Sequence, residues 1–176
     1  MKLQATEALL VLMLLNCSAP SAAEQCDLPP KMQQEDLHRL SEVRWVLVEA
    51  FADSPAGEEL IKKANSSIVE MKLKDNNKSF LFIERNIVAG NCLVLRGNMS
   101  IPDAETSNHS FILDGAGVRE FGGVVTPYND QGRADVHQGC SNCLLIVYHG
   151  VLGGSPERML LIYSSFLPHP GSKVPC

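Results

Sequence analysis

RLSEVRWVLVEAF, Arg39 to Phe51, carries the only tryptophan of the chain where a polar, helix-like lead-in gives way to an almost uninterrupted apolar run. Leu37 and Leu40 sit at helical spacing in the lead-in, which predicts one short helical turn over Gln33–Leu40. Trp45 then opens a strand that runs to Phe51. A tryptophan in that place is a core residue, a ligand contact, or a plug closing one end of a barrel.

Outward from that stretch, short strands follow at the regular pitch of an all-β sandwich or barrel. They are Trp45–Phe51, Ser67–Lys74, Ser79–Arg85, Cys92–Arg96, His109–Asp114, Val118–Thr126, Cys143–His149 and Arg158–Ser164. Between them lie tight-turn segments, KDNNK at 74–78 and DGAG at 114–117, and a hairpin loop, GVLGGSPE at 150–157. SPAGEELIKKA, between the first two strands, is longer and partly helical, suited to a lid at an open end. Eight strands joined as successive hairpins describe an antiparallel up-and-down barrel, which removes exposed edges by closing.

Alternation indicates what such a barrel holds. In SIVEMKLK, Val69, Met71 and Leu73 share one face while Glu70, Lys72 and Lys74 share the other. The further inward candidates are Leu47, Phe51, Phe111, Leu113, Leu145, Val147, Leu161 and Tyr163. They are mostly aliphatic and medium-sized, so the interior is either filled or holds one small ligand. Glu49 shares the Trp45 and Leu47 face if alternation is strict, whereas a bulge would turn it outward. Arg85 and Arg96 are candidates to pair with a cavity carboxylate or hold an anionic headgroup.

The ends and composition set the compartment. Lys2, the apolar run ALLVLMLL and the small residues up to Ala23 read as an export signal over 1–23, with the barrel domain over 24–176. That run is too short to span a bilayer, which needs about 20 residues. A net charge of −5 without a basic cluster argues against nucleic acid as a partner. Sequons at Asn65, Asn77, Asn98 and Asn108 fit a secreted glycoprotein. Beyond the signal lie Cys26, Cys92, Cys140, Cys143 and Cys176, an odd number for an oxidising compartment. Cys140-x-x-Cys143 precedes a strand and not a helix, so a structural disulfide is favoured over redox or zinc chemistry. No catalytic motif is present, and no cofactor is called for; Cys92 alone would be tested as a cavity nucleophile.

Trp45 at the mouth of the first strand, about twenty residues after Cys26, resembles the lipocalins. CDLPP, RLSEVRW, GNCLV, GCSNCLLI and ERMLLIYSSFLPHP are most similar to the apolipoprotein M and orosomucoid branch, including fish lipocalins that bind lipophilic toxins. The resemblance implies a secreted, monomeric carrier of a small hydrophobic ligand in an eight-stranded calyx. It implies a sphingolipid or fatty-acid-like ligand, attachment to lipoprotein particles, and Trp45 packed across the closed base. It also implies a bridge from Cys143 or Cys140 to Cys176, leaving Cys26 and Cys92 unpaired or joined to their nearest neighbours. Three departures stand out. Val43 replaces the glycine of the family's Gly-x-Trp, serines follow the last strand where an arginine stacks on the Trp, and the C-terminal helix of the relatives is missing. The alternative is a plasma glycoprotein acting through its glycans and outer surface.

Overall fold

A computed structural model describes residues 28–33, 36–41, 43–75, 78–101, 110–152 and 154–166. The expected signal at 1–23, Cys26, Cys176, Asn77 and Asn108 lie outside these residues.

Two short helices and ten strand segments follow in order. They are α1 (Leu37–Ser41), β1 (Arg44–Ala52), α2 (Pro55–Lys63), β2 (Ala64–Leu73), β3 (Ser79–Val88), β4 (Asn91–Ser100), β5 (Phe111–Leu113), β6 (Gly117–Phe121), β7 (Val124–Tyr128), β8 (Arg133–Cys140), β9 (Cys143–Leu152) and β10 (Ser155–Phe166). β5 with β6, and β7 with β8, each make one interrupted stave. The result is an eight-stranded antiparallel barrel closed by β3 on β4 and by β10 on β1.

Two strands differ from those expected. Val118–Thr126 is not one strand: Gly122 and Gly123 both take positive φ and turn the chain, so β6 and β7 form a hairpin. Arg133–Cys140 is a strand that alternation hides, because the sequence there is polar and buries His137 against the N-terminal arm. The expected short helix and the helical segment after β1 are both present, as α1 and α2.

The base is solid. Trp45 is 3% exposed and packs with Leu37, Leu40, Val69, Met71, Phe80, Phe111, Leu144 and Tyr163. Its indole Nε1–H donates to the Leu40 carbonyl at 3.1 Å, so α1 supplies the fixing contact. The arm completes the plug where β5 ends. Met32 N–H donates to Val136 O at 2.8 Å, His137 Nδ1 lies 2.6 Å from Pro29 O, and Lys31 pairs with Asp135 at 3.0 Å. Burial tends to raise the Asp135 carboxyl, but bonds from Ser110 and Lys31 outweigh it and hold the group below its ordinary range.

Cysteine pairing departs from the implied one. Cys140 and Cys143 bond to each other across the β8–β9 turn, so neither is available to Cys176. Cys92 is also disulfide-bonded, to a partner outside the described residues, and its register opposite Ile87 puts it on the outer face. It is therefore neither a free thiol nor a lumen residue.

Trp45→Ala is expected to lower stability by about 3–5 kcal/mol. Trp45→Phe keeps most of the packing but strands the Leu40 carbonyl, for a smaller loss of about 1–3 kcal/mol. Urea unfolding of both variants checks the order.

Candidate functional site

Closure gives every strand residue a side, since partners across a ladder face the same way. Along β2 and β3 the inward set is Ser67, Val69, Met71 and Leu73 opposite Asn86, Glu84, Phe82 and Phe80. Leu93, Leu95, Gly97 and Met99 continue it on β4. On β9 and β10 it is Leu144, Ile146 and Tyr148 opposite Tyr163, Leu161 and Met159.

Burial divides this lining along the barrel axis. Towards the base, Val69, Phe80, Phe111, Leu144 and Tyr163 have almost no accessible surface. Towards the other end Leu47, Ala50, Glu84, Leu93, Leu95, Tyr148 and Leu161 all face inward yet keep accessible surface. Inward residues that remain accessible mark open space above the Trp45 cluster, although Ser67, Asn86, Ile146 and Met159 are buried within this upper part and Leu73, Phe82, Met99 and Leu113 keep accessible surface at the base end. α2 lies over this open end. Ser54 caps it, accepting from Gly57 N–H at 3.0 Å, and its hydroxyl also bonds Glu157, which is 4% exposed. A Cβ on Gly57 would fall 2.1 Å from Glu157 Oε1, so the helix approaches this closely only because residue 57 is glycine.

Polar groups gather in the hollow half. Glu84 stands at its floor. Ser67 donates to it at 3.2 Å, and Asn86, two residues on along the same face, is also bonded to it. Burial pushes the Glu84 carboxyl above its ordinary value, against those two bonds and with Asp130 adding to the shift. Nearer the mouth, Tyr128 and Tyr148 both donate to Asp130 at 2.8 Å. A Cβ on Gly150 would meet the Tyr148 hydroxyl at 2.0 Å, so that glycine leaves the phenol room to reach Asp130. All three tyrosines of the chain face inward, and burial, then the neighbouring carboxylates, pushes each phenol up.

Of the expected lining, Leu47, Val69, Met71, Leu73, Phe111, Leu113, Leu161 and Tyr163 face inward. Glu49 and Phe51 do not. The β1–β10 register slips between Leu47 and Glu49, Val48 bulges out at 61% exposed, and Phe51 follows at 49%. Leu145 and Val147 also face outward, because β9 is a continuous apolar run in which sequence offers no parity. Arg85 lies on the outer face against Glu70 at 3.4 Å, and Arg96 lies there against Glu120 at 3.4 Å. Among the described residues the one cationic side chain in inward register is Arg119, on the exposed β6–β7 hairpin, 5.4 Å from the Phe121 ring centroid. Of the sequons, Asn65 is exposed at the start of β2 and Asn98 is part-buried on the outer face.

The residues missed are the polar ones: Ser67, Glu84, Asn86, Tyr128 and Tyr148. Glu84 and Asn86 were within reach, since Phe80, Phe82, Glu84 and Asn86 alternate strictly in SFLFIERNIV. Tyr128 and Tyr148 carry no such signal, lying beside an unrecognised strand and in an unbroken apolar run.

No family model matches the chain. It is similar to saxitoxin and tetrodotoxin-binding proteins 1 and 2 of Takifugu pardalis, 32% identical over 157 residues and 88% of its length. The chain spans 37% of the length of each of those relatives. Among solved structures, the siderocalin Ex-FABP, described as functioning through dual ligand specificities, matches with a TM-score of 0.50 at 10% identity. That match covers 76% of this chain and 78% of the other, and shows the fold.

The raised Glu84 carboxyl gives a pH dependence. The folded state holds this proton more tightly than the unfolded chain, whose value is near 4.5. The group's contribution to folding is therefore full below that value and is lost as pH rises through the raised folded value. Glu84→Gln should melt at a higher temperature than the parent at pH 7, with the gap closing by about pH 4. Scanning calorimetry across that range checks it.

Proposed function

We infer that this chain, which has the lipocalin fold, is a member of the lipocalin superfamily and carries a small ligand in the hollow half of its barrel. The observation that carries the reading is that Leu47, Leu93, Leu95 and Leu161 face inward yet keep accessible surface above the buried Trp45 cluster. A core that served stability alone would be filled throughout, since interiors pack to the density of organic crystals. The similarity to toxin-binding proteins of Takifugu pardalis supports a binding role over a catalytic one.

The proposed contacts are Leu47, Leu161 and the other inward residues above Tyr163, with Glu84, Asn86 and Tyr148 added to the lining expected from sequence. Aliphatic walls favour a ligand with an apolar body, of lipid or lipophilic-toxin size. We further propose an export signal over 1–23, a carrier domain over 24–176 and secretion, supported by the apolar N-terminus and the Cys140–Cys143 bridge. Association with lipoprotein particles rests on the likeness to the apolipoprotein M branch. The exposed Asn65 sequon favours a second reading, in which a glycosylated surface adds a role of its own.

The neutral dye N-phenyl-1-naphthylamine is expected to bind with enhanced fluorescence. Leu95→Trp, which fills the hollow half, should weaken it at least tenfold. Val147→Asn, on the outer face, should leave it unchanged. A dye that ignores the Leu95→Trp substitution would place binding elsewhere.

A further inference from the structure

We propose that the mouth of the barrel docks on a zwitterionic phospholipid membrane, with the β6–β7 hairpin and the end of β9 as its contacts. The inference rests on the carrier reading above, since the mouth is the way into the upper lumen, but it concerns the outer rim and not the cavity.

The barrel is notched at its mouth. Among the described residues β7 pairs with β6 alone, and the upper part of β9, Gly150 to Leu152, pairs with β10 alone. The stave joins β9 only from Arg133 opposite His149 downward. Asp130 ties the two sides together at the foot of the notch, accepting from Tyr128 on β7 and Tyr148 on β9, each at 2.8 Å. Above that point neither strand edge has a described main-chain partner across the notch, and such edges invite contact with another surface.

Apolar tips flank the notch. Val124 and Val125 follow the Gly122–Gly123 turn on one side and Val151 stands on the other, 64, 63 and 62% exposed. Phe51 near the end of β1 and Leu60 on α2 continue the exposed apolar surface round the rim.

Charge selects the kind of surface. Acidic groups round the rim are matched: Asp53 by Arg158 at 3.2 Å, Glu58 by Lys62 at 3.4 Å, Glu59 by Lys63 at 2.8 Å and Glu120 by Arg96 at 3.4 Å. A rim whose charges cancel gains little from an anionic membrane. Arg119 is exposed on the hairpin opposite Thr126, one pair in from Val125, and has no carboxylate assigned to it. A guanidinium forks onto a phosphate, and valines beside it enter the edge of the acyl region, so the hairpin matches a phospholipid headgroup. The unpaired strand edges need water or headgroups for their N–H and C=O, which keeps the docking shallow. A protein partner fits less well, since its contact would centre on a packed apolar core, whereas here the apolar groups ring an opening.

The test sediments the full chain with vesicles of dioleoylphosphatidylcholine, and measures N-phenyl-1-naphthylamine binding separately without lipid. The parent is expected to sediment with the vesicles. The double substitution Val125→Asp, Val151→Asp, at positions on the outer face of their strands, should raise the lipid concentration for half-binding at least tenfold and leave dye binding unchanged. A tryptophan placed in the hairpin by Val125→Trp should be quenched by brominated phosphatidylcholine, while Trp45 of the parent is not. Vesicle binding that the double substitution leaves unchanged, quenching of Trp45 in the parent, or a parent that binds dye but no vesicles overturns the docking and leaves the carrier reading standing. A gain of tenfold or more when phosphatidylserine is added assigns the rim to anionic lipid and overturns it too. If light scattering finds the parent dimeric and the double variant monomeric, the valines belong to a second copy and the inference falls. Vesicle binding without dye binding overturns the carrier reading alone.

Discussion

Closure of the sheet is the constraint on which the rest depends. Ten consecutive pairs between β3 and β4, Ser79 with Ser100 through Val88 with Asn91, join the two ends of the strand order. Once they are joined, no strand can shift by one residue without exchanging its inner and outer faces. A bulge is the local means of changing parity, and the one in β1 has a large effect. Without it, Glu49 and Phe51 would enter the mouth; with it, Ala50 and Ala52 do, opposite Leu161 and Met159. Two small side chains in place of a carboxylate and a phenyl ring keep the open end open. They also let α2 come close, since a Cβ on Gly57 would sit 2.6 Å from that of Ala52.

The base works by the opposite means, filling. Trp45 needs a partner for its indole N–H once it is buried. The Leu40 carbonyl of α1 provides it, while the residue opposite Trp45 on β10 is Ser165. Ser165, within β10, thus stands where the family's stacking arginine would approach Trp45, and the indole is held by a helix carbonyl. The arm is fastened to β8 through main-chain bonds and Asp135, which also receives Ser110 and lies 3.7 Å from His149.

Sequence disclosed the barrel through evenly spaced turns and alternating strands, whereas the place of Trp45 at the base was implied only by the resemblance to lipocalins. It disclosed the lining wherever alternation was clean, as at Val69, Met71 and Leu73. It failed where the physical determinant was not local. The Val48 bulge depends on β10, so strict alternation misplaced Glu49 and Phe51. β9 reads as apolar throughout, so its parity is set only by pairing with β8 and β10. The Cys140–Cys143 bridge was displaced by a pairing borrowed from relatives, although a two-residue turn brings the thiols together without help from any other segment. The polar floor escaped because polar residues were weighed as isolated charges and not as members of an alternating face.

The carboxylate at the floor bears directly on stability. Burial disfavours its charged form, so Glu84 opposes folding at neutral pH. A leucine or glutamine would fit the same strand position without that penalty. Position 84 therefore gives up stability. The arrangement around it is the reverse of costly. Ser67 and Asn86 lie on adjacent strands at fixed register, and the Ser67 hydroxyl is shared between Glu84 and the Tyr163 phenol. The carboxylate is thus held in one position by its neighbours. Which polar groups the lumen holds is thus decided by register: Glu84 and Asn86 face inward because β3 alternates between fixed partners on β2 and β4.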